Sequence, residues 1–444
     1  MKKILIYLFL TLPILSYADV FDQNPATPNE RGFLFEIHGS NTIGAELAPT
    51  LLARWLQYHE FTDIQRSTLA ENEQLLSATK PGIGSVSIFI AAHGSGTGFA
   101  QIKQGTADIA AASRPAKDSE NALFPNTDIS DFEHETVVAI DGISVIVHPG
   151  NGIGSLTIDQ IGQIFAGEIS NWSELGGKNL RISVHARDDK SGTFDTFNTL
   201  VLKRGYQLSG EASRYESNQE LANMVASLPG AIGFTSVATL GASKALRIAD
   251  GEGIAMAPTH TTIATEDYPL ARRLYLYQVN TSNPFARDFL EFAKSVAGQS
   301  SVGELGFISL NLEELPMTVQ GEIPAGYALI TEKSKRITTN FRFVPGTKKL
   351  DNKALDDLGR LADYMKRPEN QNRKLILIGF SNQQKDEFKA RLLSESRVIS
   401  VKRELDNLGV VSSALTGYGQ INPIASNADI KYALRNQRVE VWIR

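Results

Sequence analysis

Apolar positions along this chain fall into two rhythms. Short, nearly continuous runs (Phe33 to Ile37, Val86 to Ala91, Asp108 to Ala112, Val137 to Val147 and Leu180 to His185) read as strands of buried sheets. The stretches between them space apolar residues three and four apart, as in Leu47, Leu51, Leu52, Trp55 and Leu56, which is helical. From Gly32 to about Ser309 the two alternate. That alternation predicts α/β lobes whose sheets are covered by helices and whose ligands sit at the carboxyl ends of strands. The run Val137 to Pro149 is broken only by Asp141-Gly142 and reads as a crossing from one lobe to a second, about 143–260, with a return near residues 255 to 265.

After Asn311 the rhythm changes. Glu313-Glu-Leu-Pro316 and Gly321-Glu-Ile-Pro-Ala-Gly326 punctuate a connector over 311–335. Beyond it the pattern predicts a strand Ile337 to Val344 and a helix Asp351 to Arg367, with Leu355, Leu358, Leu361, Ala362 and Met365 on one stripe. A strand Lys374 to Phe380, a helix from about Asp386 to Leu408 closed by Gly409, a short helix near Asp429 to Arg435 and a last strand Arg438 to Ile443 complete a smaller α+β domain over 336–444.

Composition narrows the setting. Met1-Lys2-Lys3, the apolar Ile4 to Leu15 and the small residues of Ser16-Tyr17-Ala18 predict a secretory signal peptide over 1–18, since the run is too short to span a bilayer. Cleavage after Ala18 leaves 426 residues (444 − 18), room for two or three domains. With no cysteine there is neither a disulfide nor a thiolate metal site nor a lipid-accepting Cys. Thr331 to Arg444 carries 22 Lys+Arg against 13 Asp+Glu, a net of +9, whereas the whole chain is −5, which leaves −14 for the rest. Two parts of opposite sign suit two domains with different partners, or a basic part that is simply a solvated surface.

Candidate chemistry gathers in three loops. His185-Ala-Arg-Asp-Asp-Lys-Ser-Gly-Thr193 puts Arg187 four residues ahead of Ser191-Gly192-Thr193, which opens an amphipathic helix. Gly39-Ser40-Asn41-Thr42-Ile43-Gly44 and His93-Gly94-Ser95-Gly96-Thr97-Gly98 each follow an apolar run and open another. Any one of them is also an ordinary helix cap. Together they predict helix starts converging on a small oxyanion, where hydroxyls and unpaired N–H groups replace its water. Enzyme signals are poor: the seven histidines lack metalloprotease spacing, and Gly94-Ser-Gly-Thr-Gly98 is neither a dinucleotide fingerprint nor a P-loop. No cofactor, metal or nucleic-acid partner is expected.

On these residues, Phe33 to about Leu310 resembles the PstS-like phosphate-binding receptors of ABC importers, a branch of the periplasmic binding proteins. The resemblance also rests on Gly105-Thr-Ala-Asp-Ile-Ala-Ala-Ala-Ser-Arg-Pro115, Ile164-Phe-Ala-Gly-Glu-Ile-Ser-Asn-Trp-Ser-Glu-Leu-Gly-Gly177 and Pro229-Gly-Ala-Ile-Gly-Phe-Thr235. It implies a two-lobed type II periplasmic-binding-protein fold closing over inorganic phosphate or a similar oxyanion, with an ABC permease as a partner. Ser40, Thr42, Ser95, Arg187, Ser191, Gly192 and Thr193 stand at the family's ligand positions. One position departs: where the family has an aspartate that accepts the proton of hydrogen phosphate, this chain has Ser113, followed by Arg114. Asp141 and Asp189 are the replacements to consider, although Asp141 equally suits a hinge and Asp189 the orientation of Arg187.

The segment from Arg336 resembles the OmpA-like peptidoglycan-binding domain through Leu393-Ser-Glu-Ser-Arg397, Val401-Lys-Arg-Glu-Leu405, Gly417-Tyr-Gly419 and Asn436-Gln-Arg-Val-Glu440. In that family an Asp and an Arg hold the diaminopimelate of the wall peptide. Arg397 matches, and Asn382 stands at the aspartate position. The combination implies a non-enzymatic periplasmic receptor associated with the cell wall or outer membrane. Two rivals are a structural wall-binding protein whose receptor part binds nothing and a secreted phosphatase.

Overall fold

The computed structural model describes residues 19–444 apart from 190, 238, 280, 281 and 316–323, and leaves out the side chains of 413 and 414. The expected signal peptide and part of the expected connector lie outside the described residues.

The first lobe is built on strand Phe35–Gly39, which runs parallel between Gly84–Ala91 and Ile109–Ala112. All five residues of the central strand are buried, as a strand covered on both faces must be. Helix Ala48–Tyr58 covers it by burying Leu51, Leu52, Trp55 and Leu56 along one stripe, and Pro284–Lys294 packs beside it. A hairpin, Thr62–Ala70 with Glu73–Lys80, extends the outer edge.

Strand Glu135–Val147 joins the lobes. Its first part pairs antiparallel with Ala271–Tyr277 and its second with Ala231–Ser236, so one strand belongs to both sheets. The change of partner falls at Asp141-Gly142. A Cβ on Gly142 would lie 2.7 Å from Ile263 Cδ1, so only glycine lets the strand pass this close to helix His260–Ala264. In the second lobe Ala231–Ser236 runs parallel to Ser183–Arg187, and that strand to Ser213–Tyr215. Phe165, Phe197 and Phe234 form its centre, with the last two rings stacked at 4.0 Å.

Two expectations shift. The strand read at Leu180 to His185 lies at Ser183–Arg187, because Arg181 instead bridges to Asn171. The return strand begins only at Ala271, because Thr259 caps one further short helix before the chain re-enters the first sheet.

The third sheet has the order Glu314–Leu315, Lys335–Phe341, Arg438–Ile443, Leu375–Phe380, Ser412–Gly417, with only the last pair parallel. Helices Asn352–Lys366 and Glu387–Asn407 pack on it. This C-terminal part is docked on both lobes. Asn340 donates to Asp267 Oδ1 (2.8 Å) and to the Thr265 carbonyl (2.8 Å), and Arg342 donates to the Glu266 carbonyl (2.9 Å). On the first lobe Asn352 reaches the Ser130 carbonyl (2.8 Å) and Glu135 (3.0 Å), and Asp351 pairs with Arg273 (2.9 Å). On the second, the Asn427 amide donates to Glu252 (2.6 Å) and the Arg204 guanidinium lies 3.7 Å from the Tyr432 ring centre.

Candidate functional site

Glycines set the geometry of the three loops. Gly39 has φ +135°, and a Cβ there would lie 2.1 Å from the Ala111 carbonyl oxygen, so a side chain is excluded twice over. The Gly94 amide then donates to the Gly39 carbonyl (2.7 Å), and Gly98 packs with its Cα side 2.5 Å, as a Cβ would measure it, from the His38 carbonyl oxygen. The helical turns that start at Ile43 and Ser95 therefore begin side by side. The third, Gly192–Leu200, comes from the other lobe, and a Cβ on Gly192 would fall 2.1 Å from Thr42 Oγ1. The lobes touch there.

Between these helix starts lies a cavity of about 660 Å3. Ser40, Asn41, Thr42 and Ser95 line it from the first lobe, and Asp189, Ser191, Gly192 and Asp195 from the second. His93, Arg114, Lys117 and Lys203 also line it.

Three of the four hydroxyls already act as acceptors. Ser191 Oγ accepts from the Phe194 amide (3.3 Å), Ser95 Oγ from the Ser113 amide (3.2 Å) and Thr42 Oγ1 from Arg272 (2.8 Å). Ser40 Oγ is buried and has no partner. Ser95 Oγ also lies 3.4 Å from Ser113 Oγ, whose own proton goes to Asp195, so the Ser95 proton is engaged there, whereas Ser40, Thr42 and Ser191 keep a proton to give, as a desolvated oxyanion needs.

The other expected residues are placed differently. Ser113 lies behind the cleft, where its Oγ donates to Asp195 Oδ2 (3.2 Å). Thr193 sits on the helix without lining the cavity. Arg187 turns away: its Nε donates to the Tyr215 carbonyl (3.2 Å) and Nη2 to that of Glu216 (2.7 Å), and burial lowers its pKa. Asp189 lines the cavity at its open edge and pairs with Arg214 (2.6 Å). Asp141 does not line it; it is buried beneath, against Arg272 Nε (3.3 Å), and burial raises its pKa even with that cation beside it.

Arg272 and Asp195 are the residues that the sequence reading missed. Arg272 spans the floor of the cleft, donating to Thr42 Oγ1 of one lobe and to the Gly192 carbonyl of the other (2.9 Å), with Nη1 3.6 Å from Asp195. Its signal was the charged pair Arg272-Arg273 heading the apolar Leu-Tyr-Leu-Tyr. Arg114, in the quoted Ser-Arg-Pro, is a cation at the cavity, held by two 2.7 Å bonds to Glu120. Among the described residues no group of three or more His, Asp or Glu could hold a metal ion.

In the C-terminal part Asn382 and Arg397 are brought together through a third residue. Arg397 Nη2 donates to Gln437 Oε1 (2.7 Å), and Gln437 Nε2 donates to Asn382 Oδ1 (2.9 Å). Arg397 Nε and Nη1 are buried without a partner, and burial pushes its pKa down to about 10. Gln437 lies in the quoted Asn-Gln-Arg-Val-Glu, although no role was read for it.

These features have counterparts in known proteins. A PBP superfamily domain matches residues 67–296, and the OmpA family matches 342–437. The chain is 30% identical over 216 residues to the phosphate-binding protein PstS of Bacillus subtilis, covering 48% of this chain and 68% of that one. It is 29% identical over 267 residues to protein SphX of Synechococcus elongatus, covering 55% and 78%. A crystal structure of a possible phosphate binding protein from Planctomyces limnophilus matches with TM-score 0.50 and 24% identity over 62% of this chain and 92% of that one, a likeness of fold.

Proposed function

Since this chain belongs to the PstS-type phosphate-binding branch of the PBP superfamily and carries an OmpA-family domain, we propose that it is an exported receptor that binds inorganic phosphate between its lobes and is held at the cell wall. PstS of Bacillus subtilis is a phosphate-binding protein, and the function proposed here is likewise binding without chemistry. Residues 1–18 would export it, 19–310 form the receptor, 311–335 connect, and 336–444 meet peptidoglycan.

The observation that carries the reading is the set of four hydroxyls gathered at one cavity, on Ser40, Thr42, Ser95 and Ser191, of which Ser40, Thr42 and Ser191 have a proton left to give. A phosphate there would take those donors together with the Gly192 end of its helix, while Arg272 holds Thr42 and the floor. Thr193 and Arg187 would join only after a rearrangement that turns Arg187 from its carbonyl partners. Equilibrium dialysis of the purified protein against labelled phosphate tests this; retention no better than that of an unrelated protein of similar charge would refute it. Whether an ABC permease takes the phosphate onward is tested by reconstituting uptake.

For the wall, support comes from Arg397, whose Nε and Nη1 have no partner; each is one arm of a fork whose other arm, Nη2, now donates to Gln437, so a carboxylate taken by two parallel bonds would displace that amide. Asn382 would face the ammonium of the same diaminopimelate with a neutral amide oxygen. Sedimentation with purified sacculi tests the tether; protein that stays in the supernatant rejects it.

A further inference from the structure

A second cavity, of about 600 Å3, lies where the C-terminal domain meets the receptor. Part of its wall is apolar: Pro115, Leu200, Ala271, Tyr275 and, from the C-terminal domain, Tyr432. The rest is cationic. Arg114 and Lys117 line both this cavity and the oxyanion cleft, so the two spaces adjoin. Lys431 and Arg435 enter from the other domain.

Of the seven cations that line it, Arg114, Arg272, Arg273 and Arg342 have acid partners among the described residues, and Lys117, Lys431 and Arg435 do not. Glu266 is the one carboxylate among the described lining residues, and Arg273 and Arg342 already hold it. Arg435 has no ion pair among the described residues; its donors go to the carbonyls of Glu266, Asp267, Tyr268 and Pro269. Lys117 and Lys431 likewise show no ion pair, and Lys431 leans over the Tyr432 ring at 5.7 Å. Inorganic phosphate has no use for an apolar wall. A cavity with aromatic faces and unmatched cations, opening beside an oxyanion cradle, suits an anion with an apolar body.

We propose that the two cavities form one compound site for an organic phosphate monoester, with its phosphate in the cleft and its aromatic or apolar part against Leu200, Tyr275 and Tyr432. Arg114 and Lys117 would stand beside the ester linkage. The C-terminal domain then contributes directly to what the receptor selects, through Lys431 and Tyr432. The inference rests on the phosphate reading of the cleft.

Calorimetry on the full chain, with inorganic phosphate and with phenyl phosphate as the probe, tests it on the wild type, Lys431→Glu and Tyr432→Ala. Phenyl phosphate is expected to bind the wild type in competition with phosphate and to weaken tenfold or more in both variants. Phosphate affinity should stay the same in all three, which also shows that the variants fold. If phosphate binds but phenyl phosphate does not, or binds the variants as well as the wild type, this inference falls and the receptor reading stands. If neither binds, both fall.

Discussion

Arg272 holds two lobes and two carboxylates at once, so its removal should be felt in binding more than that of any other cation near the cleft. Arg272→Ala would leave Asp141 buried without its partner and Asp195 facing an incoming anion, a combination expected to weaken phosphate binding by at least about 2 kcal/mol. Arg187→Ala, which cuts bonds to two main-chain carbonyls, should cost less. Calorimetry that finds the opposite order would mean that Arg187 swings into the cleft on binding. Asp189 and Asp195 both line the cavity; Asp189 is taken up by Arg214, so Asp195, which takes the Ser113 proton on one oxygen, is the carboxylate to test as acceptor of hydrogen phosphate's proton. Sulfate brings no proton. Asp195→Asn should therefore let sulfate compete within about tenfold, roughly 1.4 kcal/mol, and a competition titration that leaves the preference intact removes Asp195 from that role. In the C-terminal domain, under the proposed tether, Asn382→Asp should tighten sedimentation with sacculi about tenfold by restoring a charge-assisted bond, and Arg397→Ala should abolish it. The cavity residues legible in the sequence, Ser40, Thr42, Ser95, Ser191 and Gly192, belong to loops whose signal is local: a glycine, a hydroxyl and a helix start within six residues. Arg272 and Asp195 were not legible because their neighbours come from far along the chain, Thr42 lying 230 residues from Arg272.

Elements followed the same logic. Strands with buried faces announced themselves, Glu135–Val147 most clearly, since 11 of its 13 residues are buried and its break at Asp141-Gly142 is where it changes partner. Strand Thr62–Ala70 did not, because it is an exposed edge with no residue fully buried and so has no apolar rhythm to read. Ser412–Gly417 escaped for a similar reason: Ser-Ser-Ala-Leu-Thr-Gly carries little apolar signal, and its place is fixed by parallel pairing with Leu375–Phe380. The connector also conceals a strand, Glu314–Leu315, tied down through Glu314. Hydrogen bonds from Arg373, joined by Tyr364 and Lys335, pull its carboxyl from 4.5 down to about 2. An acid held below its unfolded pKa stabilises the fold above that unfolded value and loses the contribution as pH falls towards the folded one. Glu314→Gln should therefore lower the urea midpoint near pH 6, and the difference from wild type should fade between about pH 4.5 and pH 2. A difference that is constant with pH would show that the carboxylate charge is not what holds the strand.

At the scale of the whole molecule, a signal for two domains was present in the charge asymmetry, but their contact was not, because the buried Arg342 and the half-buried Arg435 look like any others in a basic stretch. The C-terminal domain grips the first lobe through Asn352, the second through Asn427 and Tyr432, and the segment between them through Asn340 and Arg342. A domain fastened to both lobes shares their fate on heating. Scanning calorimetry should record one joint melting transition, and saturating phosphate should shift all of it, by about 2.7 kcal/mol at a hundred times Kd. Arg342→Glu with Arg435→Glu, which sets new acids against Glu266 and Asp267, should split the endotherm in two, with only the receptor's portion still answering to phosphate. Two transitions in the wild type would contradict this. If there is one, the ligand's free energy reaches a domain that it never touches, and phosphate supply becomes a determinant of how long the C-terminal domain resists unfolding and proteolysis.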